Sequence, residues 1–66
     1  MRSRLKVLRA ERGWSQEELG ARLGVSRQAI NAIETEKFDP SLPLAMKAAK
    51  LFGLKVEDLF FLEDDA

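Results

Sequence analysis

The chain has 66 residues, 45% of them hydrophobic, with no cysteine, no histidine, no tyrosine and a formal net charge of zero. Without Cys there is neither a disulfide framework nor a thiolate metal site. Without His the commonest general base and metal ligand is missing, and with no Gly-rich phosphate loop either, nothing forms a credible catalytic set; no metal site and no cofactor are expected, which points away from an enzyme.

No apolar run approaches the roughly 20 residues needed to cross a bilayer, and no secretory signal is visible, so a single cytoplasmic domain over residues 1–66 is expected, with no membrane partner. A chain this short buries only about 60% of its unfolded surface, so its stability depends on efficient packing or on dimerisation. The zero net charge hides an asymmetry: residues 1–37 carry eight Lys or Arg against five acids, +3, and residues 38–66 carry three Lys against six acids, −3. Any nucleic-acid contact is therefore expected in the first half.

In chain order, the first helix is expected over about Ser3 to Arg12, with Leu5, Leu8 and Val7 inward and Gly13 at the position that ends it. Ser15 and Glu18 form a capping box, and Trp14 with Leu19 would form the hydrophobic staple that opens a second helix, about Gln16 to Leu23. Gly24 suits a left-handed backbone position after it, and Ser26 is a natural N-cap for a third helix, about Arg27 to Glu34. Leu19, Leu23, Val25, Ile30 and Ile33 are spaced to share one buried face, and Gly20 is small where the two helices must come close. Two short helices joined in this way form the helix-turn-helix pattern, whose second helix is offered to the DNA major groove.

At about 100° per residue, Ile30 and Ile33 fall on one side of the third helix, and Arg27, Gln28, Asn31, Ala32 and Thr35 on the other, with no acid among them. Arg, Gln and Asn make bidentate contacts to base edges, and the methyl of Ala32 can meet a thymine methyl. A merely solvated helix face is the alternative. Beyond it, residues 35–40 form a loop in which Lys37 is the best phosphate candidate and Phe38 is expected in the core.

A fourth helix begins near Ser41, with Pro43 tolerated in its first turn. Leu42, Ala45, Ala49 and Phe52 are spaced for burial, Ala48 and Met46 flank them, and Gly53 ends the helix. A short fifth helix, about Val56 to Phe60, closes the domain through Val56 and Leu59. Phe60, Phe61 and Leu62 then form an unbroken apolar row. With Leu44 and Leu51 they are expected either to fold back on the core or to form an isologous homodimer contact, and the second is preferred. Residues 62–66 are expected to be a frayed tail.

Leu5, Leu8-Arg9, Gly13, Ser15-Gln16, Leu19, Leu23-Gly24-Val25-Ser26, Ile30, Ile33-Glu34, Lys37, Pro40, Ala49, Leu54 and Leu59 together resemble the phage-repressor and Cro-like helix-turn-helix family, the xenobiotic-response-element type of bacterial regulator. The resemblance covers residues 5 to 59 and extends in length to small members such as the cytolysin-operon repressor. It implies an all-α, compact five-helix, lambda-repressor-like fold. It implies a homodimeric DNA-binding transcriptional regulator, a repressor on an inverted-repeat operator, associated with the nucleoid. The base-contacting residues would be Arg27, Gln28, Asn31 and Ala32, and the backbone-contacting residues Gln16, Ser26, Thr35 and Lys37. It further implies an Arg9–Glu34 pair tying the first helix to the third; two separate surface charges are the alternative. Many relatives have Asn-Gly where this chain has Thr35-Glu36, which removes the residues best suited to positive φ and adds an acid near DNA. No effector-binding domain is visible. A protein-interaction module of the same fold, such as an antitoxin or adaptor using the Phe60-Phe61-Leu62 row, remains the alternative function.

Overall fold

In a computed structural model, residues 1–62 are described, and the chain runs β1 (Arg2–Ser3), α1 (Leu5–Glu11), α2 (Gln16–Leu23), α3 (Arg27–Glu34), α4 (Leu42–Phe52), α5 (Val56–Leu59) and β2 (Phe60–Phe61). The fold is all-α in substance, with five helices around one core. The tail expected over 62–66 lies outside the described residues from position 63 on.

Local chemistry sets most boundaries. Ser15, Ser26 and Ser41 cap α2, α3 and α4, each accepting from a main-chain N–H three residues on: Glu18 at 3.0 Å, Ala29 at 3.1 Å and Leu44 at 3.2 Å. Each bond satisfies one of the donors that a helix start leaves open. Gly24 and Gly53 close α2 and α4 at φ +77° and +69°, where a β-carbon would be strained. The core is Leu5 from α1, Leu19 and Leu23 from α2, Ile30 and Ile33 from α3, Leu44, Ala45, Ala48 and Phe52 from α4, and Leu59 and Phe60 at the end.

Five features differ from the sequence-based expectations. The first helix starts later than Ser3, because Arg2 and Ser3 pair antiparallel with Phe61 and Phe60 in a two-stranded ladder, and the Arg4 N–H donates to the Leu59 carbonyl at 2.9 Å. Phe60 therefore belongs to a strand and not to α5. Successive side chains on a strand point to opposite faces; Phe60 turns inward, 7% exposed, and Phe61 outward, 37% exposed. On α4 the buried stripe is Leu44, Ala45, Ala48, Ala49 and Phe52, which leaves Leu42 and Met46 on the outside and takes Leu44 into the core. Val7 is exposed, because Leu5 and Leu8 carry the inward contacts of α1. Phe38 is exposed as well, because the chain reverses at Glu36, φ +65°, and carries the loop across the surface.

Candidate nucleic-acid interface

The α2–α3 unit is held by main-chain geometry as much as by side chains. The Val25 N–H donates to the Gly20 carbonyl at 2.9 Å. A β-carbon on Gly20 would lie 2.6 Å from the Val25 carbonyl oxygen, so only glycine permits this approach. Trp14, half-buried, leads into α2 and packs on Phe52 of α4, ring centres 5.8 Å apart, with the Arg22 guanidinium 4.2 Å above the indole. That stack of ring, ring and cation sets the outer side of α2 against α4.

Ile30 and Ile33 pin the inner face of α3 to the core, at 0% and 1% exposure. The opposite face brings Arg27, Gln28 and Asn31 together, all exposed, with Thr35 at its end and Ala32 half-buried at its margin. Arg27 and Gln28 make no side-chain hydrogen bond or ion pair among the described residues, so their polar ends are available. No partially buried acid crowds them; Glu34 sits on the side toward α1.

A polar chain runs behind this face. Arg9 donates from Nε to Glu34 Oε2 at 2.7 Å, from Nη2 to Glu34 Oε1 at 3.2 Å, and from Nη1 to the Trp14 carbonyl at 2.8 Å. The two side chains are 15% and 2% exposed. The hydrogen bond to Glu34 raises the Arg9 pKa above its ordinary value, burial opposes this, and the charge of Glu34 adds to it. Arg9 is therefore charged at every working pH. Gln16 Nε2 donates both to Glu34 Oε1, at 3.0 Å, and to Asn31 Oδ1, at 3.2 Å. No sequence signal had linked Gln16 to Asn31 or Glu34. The available clue is chemical: a carboxylate has about four acceptor sites, more than one arginine fills.

The backbone-contact candidates differ in what they still have to donate. Ser26 accepts from Ala29 N–H and keeps its hydroxyl hydrogen. Lys37 is exposed, its main-chain N–H bonded to the Ala32 carbonyl at 2.9 Å. The Thr35 hydroxyl already donates to the Asn31 carbonyl at 2.8 Å. Both amide hydrogens of Gln16 are engaged, which leaves the main-chain N–H groups at the start of α2 as the donors there. The five residues expected at a dimer contact are not alike. Leu44 and Phe60 are buried in the monomer, at 9% and 7%, and are corrected to core residues; Leu51 is half-buried; Phe61 and Leu62 are exposed. Pro40, Leu42, Ala45, Val56 and Phe60, with Glu57, line an open, mostly apolar groove that neither Phe61 nor Leu62 enters. No helix among the described residues is long and apolar enough to cross a membrane, and no group of them is arranged to hold a metal ion.

The comparisons with known proteins agree with this geometry. A family model described as Helix-turn-helix matches residues 5–59. The chain is 57% identical to an HTH-type transcriptional regulator of Methanocaldococcus jannaschii, covering 98% of each chain. It is 49% identical to the HTH-type transcriptional regulator YgzD of Bacillus subtilis, again over 98% of each. Among solved structures it is similar to a hypothetical transcription factor from Neisseria, at 30% identity and a TM-score of 0.73, over 82% of this chain and 61% of that one. With a matched family model over most of its length and relatives aligned nearly end to end, the chain belongs to the Cro- and phage-repressor-type helix-turn-helix family of non-enzymatic, DNA-binding transcriptional regulators.

Proposed function

We propose that this regulator is a repressor that binds an inverted-repeat operator as a homodimer, with α3 in the major groove. The observation that carries the reading is the outward face of α3, where Arg27, Gln28 and Asn31 stand together, exposed and free of acids. These three would read base edges, and the Ala32 methyl, at the margin of the face, would meet a thymine methyl. Ser26 through its hydroxyl, Lys37 through its ammonium, and Gln16 through the main-chain N–H groups of its helix start would hold the phosphates. Thr35 would contribute only by giving up its bond to the Asn31 carbonyl. The dimer contact would be built on Phe61 and Leu62, the two members of the expected set that stay exposed in the monomer. A two-fold axis through that patch would set the two α3 helices about 34 Å apart, one DNA turn. Bound across a promoter, such a dimer would act by occupancy.

Selecting bound fragments from random duplex DNA tests this. An inverted repeat with half-sites one turn apart is the expected output, and a single asymmetric site would remove the dimer. The exposure of Phe61 and Leu62 also suits a second reading, in which the patch receives another protein, as in an adaptor or antitoxin. Sedimentation of the pure protein separates the two: a dimer at micromolar concentration favours the regulator, a monomer the adaptor.

A further inference from the structure

We infer that Gln16 fixes the side-chain amide of Asn31 so that Asn31 offers only hydrogen-bond donors to the groove, and thereby selects guanine over adenine at the base it meets. The inference rests on α3 being the base-reading helix, and it adds which base one position selects and why.

The polarity of each contact follows from the chemistry of the groups. A guanidinium only donates and a carboxylate only accepts, so the direction of the Arg9–Glu34 contacts is fixed. Glu34 Oε1 also takes the 3.0 Å contact from Gln16, and only the Gln16 nitrogen can donate there. The same nitrogen lies 3.2 Å from the Asn31 amide. A donor with no lone pair to offer needs an acceptor opposite it, so the Asn31 atom turned toward α2 is Oδ1. Nδ2, with two hydrogens and no partner among the described residues, is left for the outside. Reversing the Asn31 amide would break the bond to Gln16 and set one N–H group against another. The chain from Arg9 through Glu34 and Gln16 thus transmits a donor polarity to the surface of α3.

An unconstrained Asn pairs with adenine, donating to N7 and accepting from N6. Guanine instead shows two acceptors, N7 and O6, in the major groove. A donor-only Asn31 matches guanine and meets the adenine N6 amine with the wrong polarity.

The test compares base frequencies selected from random duplex DNA by the full chain and by Asn31→Ala, Gln16→Leu, Asn31→Asp and Gln28→Ala. Asn31→Ala identifies the column that residue 31 reads. In the wild-type selection that column should be guanine, favoured over adenine on the order of tenfold. Gln16→Leu, which frees the amide to turn, should bring that ratio toward one while the column set by Gln28 stays as it was. Asn31→Asp, with an acceptor facing out, should move the column to cytosine. Adenine in the wild-type column overturns the inference, and so does a guanine column that a folded Gln16→Leu variant leaves untouched. If Gln16→Leu does not fold, as judged by circular dichroism, Asn31→Asp decides, and a column that fails to become cytosine overturns it. A selection in which Gln28→Ala moves a column and Asn31→Ala moves none removes this inference alone. One in which neither moves any column removes the base-reading role of α3, and this inference with it.

Discussion

The two halves of the domain are held together by different physics. The α2–α3 half is joined to α1 by a directional network, Arg9 to Glu34 to Gln16 to Asn31, and its two helices are joined to each other by a main-chain approach that only Gly20 allows. The α4–α5–β2 half has no such side-chain network: apolar packing of Leu44, Ala48, Phe52, Leu59 and Phe60 holds it, with main-chain bonds to the β1 end, and it leaves Leu42, Met46, Phe61 and Leu62 in water. The difference fits the role proposed for each surface. Reading base edges needs donors and acceptors held in a fixed orientation, which hydrogen bonds supply and hydrophobic contact does not. An apolar surface that meets another protein needs shape and area more than polarity.

The contrast can be broken most severely at its polar end. Arg9→Ala leaves the Glu34 carboxylate, only 2% exposed, without its guanidinium. Removing one partner of such a pair should lower the unfolding free energy by about 3–5 kcal/mol, toward the lower figure because Gln16 remains. A urea titration showing a loss below about 1 kcal/mol would mean that the apolar packing of Leu19, Leu23, Ile30 and Ile33 holds this half without help from the network. Gly20→Ala comes next. Its new methyl meets a backbone oxygen at 2.6 Å, so the α2–α3 angle must open. A loss of about 1–3 kcal/mol is expected, together with weaker binding to every DNA sequence, read by thermal melting and by a filter assay.

Gln28→Ala sharpens the comparison without touching the fold. Its side chain is exposed and makes no hydrogen bond within the described chain, so stability should stay within about 0.5 kcal/mol. Operator affinity should fall by about 1–3 kcal/mol, and equal loss on operator and random DNA would argue against base reading. The smallest effect is expected at Glu36, a non-glycine residue at φ +65°. A left-handed backbone costs an L-residue about 1–2 kcal/mol, part of which glycine returns as lost chain entropy. Glu36→Gly should therefore stabilise by about 1 kcal/mol and, by removing an acid from the turn that follows α3, bind all DNA somewhat more tightly. An unchanged melting temperature would show that the loop absorbs the strain.

The sequence made the helix-turn-helix half readable because its constraints are local. Ser15, Ser26 and Ser41 cap within three residues of themselves, Gly24 serves one backbone angle, and Ile30 with Ile33 mark the buried side of α3 within a single turn. The apolar row at the end was harder. A run such as Phe60-Phe61-Leu62 reads equally as the continuation of α5 or as a strand, and the partner that decides is Arg2-Ser3, at the far end of the chain. On α4 the signal is present but easily overridden: Lys47 and Lys50 mark the outward side and place Leu44 inward, while Leu42 and Met46 are apolar residues on the flank nearer the lysines. The exposure of Phe38 is not legible in the sequence, because a loop residue has no periodicity to follow.

The sequence by itself determined the helices, their caps, the turn between α2 and α3 and the polar face of α3, since each of these is fixed by side chains a few bonds apart. Only the tertiary structure decided which of the apolar residues are core and which remain outside, and which way the amide of Asn31 points. Those outcomes depend on groups far apart in sequence, Ser3 against Phe60 and Arg9 through Glu34 to Gln16, whose meeting is a property of the packed chain.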